Sequence, residues 1–135
     1  MSTGKPSGPA NAGADFEAWL GREFGDGGSF TALVVLVAIG ETTVTPLCST
    51  YVNVIGTEVE WSDLVVMFAG AGQPWDGAAF FPRRDDHGRP LDNPTARILL
   101  REVESRLDED RLFLNEGHFF DAWGRRMKIE EMTRQ

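Results

Sequence analysis

The stretch that decides the fold runs from residue 30 to residue 70 and reads FTALVVLVAIGETTVTPLCSTYVNVIGTEVEWSDLVVMFAG. Three apolar, β-branched runs follow one another in it, at residues 30–39, 43–55 and 59–69, with only short breaks marked by Gly or Glu. Such side chains fit a pleated sheet, and the breaks are too short for a crossover helix between parallel strands. The stretch therefore predicts three antiparallel strands, the last of them covered on both faces.

The limits of these strands rest on local features. A helix over residues 62–69 is the alternative for the third run, although the adjacent valines and the Gly-rich exit favour a strand. Pro46 cannot donate to a strand ladder, so the second strand is expected to start late or to carry a bulge there. A short apolar piece at residues 78–81 is expected to be a further strand.

Two helices are predicted, one on each side of this region. The first has an apolar stripe at helical spacing and acidic residues at its start, and the glycines of residues 25–28 end it. Its stripe consists of Phe16, Trp19, Leu20 and Phe24. The second begins with Asp92 or Asn93 as its cap and Pro94 at its first position. Its apolar face consists of Ala96, Leu99, Leu100, Val103 and Leu107.

The rest of the chain completes the predicted fold. Apolar runs at residues 111–114 and 118–129 flank an Asn-Glu-Gly turn and predict a hairpin, with a continuing helix as the less favoured alternative. The fold class is therefore α+β, an antiparallel sheet of about four to six strands with an N-terminal helix and one longer amphipathic helix packed on one face. Residues 1–13 are expected to be a disordered N-terminal tail, and residues 14–135 a single α+β domain.

The composition limits the function. A chain of 135 residues can bury a core without metal or disulfides, and no cofactor is expected. Its one cysteine, Cys48, excludes an intrachain disulfide and suits the reducing cytoplasm, where the protein is expected to work. A net charge of −8, from 13 Lys and Arg against 21 Asp and Glu, disfavours nucleic acid and anionic membranes as partners. No apolar run reaches the roughly 18 residues of a membrane span.

A polar cluster at residues 83–89 provides part of a candidate metal site. Carboxylate oxygens and imidazole nitrogens bind divalent ions. The residues that would supply them are Asp85, Asp86, His87, His118 and Asp121. A metal held there would support a small metal-dependent hydrolase. The alternative is a solvated loop in which arginines and aspartates neutralise one another, and no motif of fixed ligand spacing decides between the two.

A second cluster, at residues 115–128, combines aromatic side chains with local positive charge. Stacking aromatics and phosphate-binding arginines would make it a phosphate or nucleic-acid contact. The alternative, which the acidity of the chain favours, is a hairpin with buried aromatics and arginines in water. Residues 121–125, Asp-Ala-Trp-Gly-Arg, resemble the Asp-x-Trp-Gly turn of type II secretion pseudopilins. The resemblance implies a turn there, and no function is transferred from it.

Cys48 is a candidate nucleophile, with His118 or His87 as its base. It lies in a predicted strand, where a free cysteine usually acts as a small buried apolar residue. No signature of a cysteine hydrolase surrounds it, so the packing role is favoured.

The leading hypothesis is a small acidic cytoplasmic protein–protein interaction module without catalytic activity. Four Trp and nine Phe exceed what one core of this size needs, so some are expected at an interface. The simplest partner is a second copy, bound through a sheet edge or the first helix, and an acidic mimic of nucleic acid is a more specific variant. The residues expected to contact the partner are Phe16, Trp19, Phe24, Phe119, Trp123, Arg125 and Arg126. The metal-dependent hydrolase is the alternative function.

Overall fold

The structure, a computed structural model, describes residues 13–56 and 58–129. Its elements, in chain order, are α1 (Ala14–Gly27), β1 (Phe30–Ile39), β2 (Val44–Val54), α2 (Trp61–Ala69), β3 (Gly77–Arg83), α3 (Asn93–Glu109), a 3₁₀ helix (Arg111–Glu116) and β4 (His118–Asp121). The four strands form one antiparallel sheet in the order β2-β1-β3-β4. The predicted α+β class is therefore confirmed.

The ladder between β1 and β2 contains the bulge that the sequence predicts. Leu36 lies opposite Cys48, whereas the next residue, Val37, lies opposite Pro46, so Leu47 is an extra residue in β2. A proline has no N–H to donate, and the bulge accommodates it at the end of the strand next to the hairpin turn. On its other side β1 pairs with β3, which confirms the strand predicted at residues 78–81.

Helices cover both faces of the sheet, and each face has its own core. On one face α1 and α2 pack over alternate side chains of β1. On the opposite face α3 and the 3₁₀ helix pack over the side chains between them. The prediction placed both helices on one face and is corrected in this respect. Residues 30–37 are buried at every position, and successive strand residues point to opposite faces, so β1 needs cover on both sides.

The third apolar run folds as α2, so the strand predicted there is wrong and the alternative helix is correct. Trp61, Leu64 and Phe68 are buried, whereas Val66 is 74% exposed. This spacing of three and four residues defines one face of a helix, whereas a strand would place Leu64 and Val66 on the same face. Packing of the large side chains outweighs the weak helix preference of the valines.

The longest helix, α3, starts as predicted. The Asp92 carboxylate accepts a hydrogen bond of 2.8 Å from the Thr95 backbone N–H, and Pro94 follows within the first turn, where its missing N–H has no intrahelical partner. The side chains that α3 buries are Ala96, Leu100, Val103 and Leu107. None of the helices in the described ranges is long and apolar enough to cross a membrane.

The C-terminal hairpin lies one element later than predicted. Residues 111–114 belong to the 3₁₀ helix, because the Asp110 carboxylate caps it by accepting from the Leu112 N–H at 3.0 Å. The chain then forms β4 against β3 and turns back at residues 121–124, where the Gly124 N–H donates to the Asp121 carbonyl at 2.9 Å. The turn that the pseudopilin-like motif implies is therefore present.

Gly13, the first residue that the structure describes, lies against the C-terminal turn. This residue is buried, and its N–H donates to the Trp123 carbonyl at 2.7 Å. Although the sequence placed it in the tail, Gly13 is packed against the C-terminal turn. At its other end α1 includes the glycines at residues 25–27 and stops at Gly28, whose φ of 76° suits only glycine well. Residues 1–12, 57 and 130–135 lie outside the described residues.

Candidate functional site

Three of the aromatic side chains predicted to bind a partner belong to the core. Phe16, Trp19 and Phe119 are 2%, 3% and 1% exposed. The Phe16 ring, for example, lies with its centroid 5.0 Å from that of Trp61 and 5.2 Å from that of Phe80. These side chains stabilise the fold and present no surface to a partner. Two others of the predicted set, Phe24 and Trp123, are half-buried.

His118 lies at the start of β4, against α1. Its ring stacks on Trp19 with the centroids 4.7 Å apart, and its Nδ1 lies 3.1 Å from Nη1 of Arg126. A guanidinium only donates, so Nδ1 accepts and the proton of the neutral imidazole is on Nε2. Burial, and then the charge of Arg126, lower the pKa of His118 below its ordinary 6.5. The ring is therefore neutral at neutral pH, with Nδ1 already occupied.

The two arginines of the predicted partner surface are engaged within the chain. Arg125 forms an ion pair with Asp121, with Nε 2.8 Å from Oδ2. Arg126 places its guanidinium 4.8 Å from the centroid of the Phe120 ring, and its backbone N–H donates to Asp15 at 2.8 Å. Both side chains are exposed in part, but the charge of Arg125 is paired within the C-terminal turn, and the backbone N–H of Arg126 fastens that turn to α1.

The five predicted metal ligands do not form one site. Asp85, Asp86 and His87 lie on an exposed loop, where Asp85 Oδ1 accepts from the N–H groups of His87 and Arg89 at 2.8 and 2.9 Å. These backbone bonds lower the pKa of Asp85. Asp121 Oδ1 accepts in the same way within its own turn. Within residues 13–56 and 58–129, no three His, Cys, Asp or Glu side chains are arranged to hold a metal ion.

Arg84, part of the predicted polar loop, has a structural role that no local pattern indicates. Its Nη1 forms an ion pair of 2.7 Å with Glu23, and its Nη2 donates to the Gly28 carbonyl at 2.8 Å. Its Nε donates to the Ser29 carbonyl at 3.2 Å, and the guanidinium lies 5.1 Å from the Phe30 ring centroid. Arg84 therefore joins the end of α1 to the start of β1, which lie 55 to 61 residues earlier in the sequence.

Two surface depressions of the described chain bear on the catalytic hypotheses. One, of about 890 Å³, lies at the β1–β2 hairpin end and is lined by the carboxylates of Glu41, Asp108, Glu109 and Asp110, but by no His or Cys. A groove of about 250 Å³ includes Cys48 and is bordered by Glu104 and Asp108. No histidine lines this groove, so the cysteine–histidine pair considered from the sequence is not assembled there.

The outer edge of β2 is the most distinctive surface. Its eleven residues, VTPLCSTYVNV, include no charged side chain, and β1 pairs with one side of it only. In the described residues, the one β2 backbone group with a hydrogen bond outside the ladder is the Val44 carbonyl, which accepts from Arg111 Nε at 2.9 Å. Pro46 has no N–H, so the unprotected part of the edge runs from Cys48 to Val54.

One flank of α3 lies beside this edge. It is formed by residues spaced at three and four positions, which share one side of a helix. They are Arg97, Arg101, Glu104 and Asp108. Glu104 hydrogen-bonds Ser49 of β2, and Asp108 borders the same groove, which fixes the side on which the flank lies. The opposite flank of α3 faces the 3₁₀ helix, where Arg106 lies 4.9 Å from the Phe113 ring centroid.

The sequence shows that β2 is uncharged, but it does not show that β2 lies at the edge of the sheet. The absence of charge over residues 44–54 is visible in the sequence. An uncharged strand can equally lie inside a sheet, as β1 does, so the signal becomes specific only when the strand order is known.

Comparison of the chain with protein-family models, with curated proteins and with solved structures finds no match.

Proposed function

We propose that this chain is a small acidic protein–protein interaction module without catalytic activity, and that it binds its partner through the outer edge of β2. The observation that carries the proposal is the long uncharged edge, whose backbone groups between Cys48 and Val54 have no partner on the outer side in the described residues. An added strand would satisfy those groups, as in other proteins that bind by strand addition.

Edge strands normally carry devices that prevent such pairing. Short length, lysines, prolines and bulges are the common ones. In β2 the proline and the bulge, at Pro46 and Leu47, are both near the hairpin end, and no lysine or other charge follows them. A strand of this length without protection would cause aggregation, unless a partner covers it. A specific partner is therefore the simplest explanation for its composition.

The side chains along the edge fit a strand-adding partner. Thr50 and Asn53 are exposed, and Tyr51 and Val52 are half-buried, so the edge offers both polar and apolar contacts. The single free cysteine, Cys48, lies in this segment and supports a reducing, cytoplasmic setting for the proposed interaction. The metal-dependent hydrolase is not proposed, because its five residues are distributed over separate loops and strands.

The test compares two threonine substitutions of equal chemistry. Thr50→Lys places a charge in the middle of the unprotected edge, whereas Thr42→Lys places it in the exposed hairpin turn. In native extract, we expect cross-linking to join residues 48–54 of the unsubstituted protein to a partner chain, which includes a second copy of the protein itself. Thr50→Lys should abolish those cross-links and Thr42→Lys should keep them. Cross-links that map elsewhere, or that survive Thr50→Lys unchanged, would overturn the proposal.

A further inference from the structure

The β2 edge and the α3 flank beside it form one composite surface. We infer that its partner is a second copy of this chain, with the two β2 strands antiparallel about a two-fold axis at Thr50. The inference rests on the proposed function, because it names the strand that the edge receives. Such pairing would extend the sheet to eight strands across the dimer, in the order β4-β3-β1-β2-β2-β1-β3-β4.

The charges of the α3 flank are self-complementary. Along the helix they run positive, positive, negative, negative, at Arg97, Arg101, Glu104 and Asp108. A two-fold axis perpendicular to the sheet places the two α3 helices antiparallel, because α3 packs over β1 and β2 beside the edge. Arg97 of one copy then faces Asp108 of the other, and Arg101 faces Glu104. A partner with one sign of charge would meet two like charges on this flank.

The centre of the flank lies close to the centre of the unprotected strand, which for the segment from Cys48 to Val54 is Tyr51. The helix runs opposite to β2, since Arg111 after its end bonds Val44 and Leu91 before its start bonds Thr31, which lies opposite Asn53. The midpoint between Arg101 and Glu104 lies about 2 Å along the helix from Glu104.

Glu104 itself bonds Ser49. The midpoint therefore lies about 2 Å from Ser49 toward the C-terminal end of β2. Successive strand residues are roughly 3.3 Å apart, so the midpoint falls between Ser49 and Thr50, beside Thr50. The same two-fold axis that pairs the charges therefore pairs Cys48 with Val52 and Ser49 with Tyr51. The charges of the flank therefore select this register, and the uncharged edge from Cys48 to Val52 can pair with itself in it.

The net charge of −8 opposes the approach of two copies at long range. The surface that would come into contact differs from the rest of the chain, because β2 is uncharged and the four charges of the flank sum to zero. Self-association through this surface therefore brings no net like charge into contact.

The first experiment tests the register by disulfide formation in the full chain. In a Cys48→Ser background, Thr50→Cys would place two cysteines opposite each other with Cα atoms about 5 Å apart, which a disulfide can span. Asn53→Cys is the control, because its two copies would be about 20 Å apart. We expect mild oxidation to give a covalent dimer with Thr50→Cys and none with Asn53→Cys. Equal cross-linking of both, or of neither, would overturn the register.

The second experiment is a charge-exchange cycle measured by sedimentation equilibrium. Arg97→Glu and Asp108→Arg each place like charges opposite each other, so we expect each to weaken the dimer about tenfold. The double variant restores opposite charges and should return the Kd to within about twofold of the unsubstituted chain. Additive weakening in the double variant would contradict the pairing.

The outcomes separate this inference from the proposed function. A chain that sediments as a monomer up to about 1 mM, while Thr50→Lys still removes cross-links to other proteins, would overturn the dimer and retain the edge as an interaction site. A dimer that resists Thr50→Lys would overturn the two-fold axis at Thr50, and the proposed function as well if the cross-links to other proteins also survive.

Discussion

Single side chains fasten the helices to the sheet, and Arg84 joins more groups than its neighbours do. Its guanidinium binds one carboxylate and two main-chain segments and stacks on Phe30. Gly27 is adapted to it, since a Cβ there would lie 2.5 Å from the Arg84 Cζ. The planar, five-donor group can satisfy several acceptors at once, which the single ammonium of lysine cannot.

We therefore expect Arg84→Lys to lower the free energy of unfolding by about 2 kcal/mol. Arg83→Lys is the matched control, because Arg83 donates only to the carbonyl of its neighbour Pro82 in the described residues. It should change stability by less than about 0.5 kcal/mol. Urea unfolding of both variants measures the difference, and equal losses would contradict the role assigned to Arg84.

His118 gives the stability a dependence on pH. In the folded chain its pKa lies below 6.5, chiefly through burial and then through Arg126, with Arg22 acting in the same direction and Glu23 against it. The unfolded chain therefore binds a proton at this position more readily than the folded chain. This contribution to stability is present above pH 6.5 and is lost as the pH falls through the lower pKa of the folded state.

The measurement is the free energy of unfolding between pH 7.5 and 5, about the range in which histidine titrates. We expect the unsubstituted protein to lose stability toward the acid end more steeply than His118→Gln. Protonation would also remove the Nδ1 acceptor that Arg126 uses. Parallel pH profiles for the two proteins would show that His118 does not carry the effect.

Among the elements, α2 is the one whose type is wrongly predicted from the sequence, as a strand instead of a helix. The apolar run at residues 64–69 is compatible with a strand buried on both faces and with a buried helix, because periodicity is weak when every position is apolar. In contrast, β1 and α3 are predicted well, since the first is buried at its first eight positions and the second carries a cap, a proline and an apolar stripe.

The two assignments of α2 predict different mutational patterns. Leu64 is 5% exposed and Val66 is 74% exposed, although a strand would place them on one face. Leu64→Ala should lower the free energy of unfolding by about 2 to 4 kcal/mol, and Val66→Ala should leave it within about 0.5 kcal/mol. Chemical denaturation of both variants provides the test. Similar large losses at both positions would favour the strand.

The arrangement of elements also explains why the candidate site was only partly predictable. Four Trp and nine Phe exceed what one core of this size needs. A sheet covered on both faces has two cores, and these take up Phe16, Trp19 and Phe119, which the sequence assigned to a partner surface. Binding of a second copy through a sheet edge remains a proposal, now with β2 as the edge.

In the whole molecule, helices cover both faces of the sheet, so only its two edges remain accessible to a partner. The β4 edge has four residues and is followed by the turn that fastens to α1, whereas β2 offers eleven residues without charge. Although the net charge of the protein is −8, its β2 edge, to which a strand can be added, is uncharged. Association through β2 would therefore leave the acidic remainder in solvent.

Hydrogen exchange of the β2 amides at increasing protein concentration tests the central claim most directly. We predict that the amides of residues 48–54 whose N–H groups point outward exchange more slowly as the concentration rises, because an added strand covers them. Amides of β3, which lies inside the sheet, serve as the reference and should not change. Exchange in residues 48–54 that stays fast and independent of concentration would contradict the account.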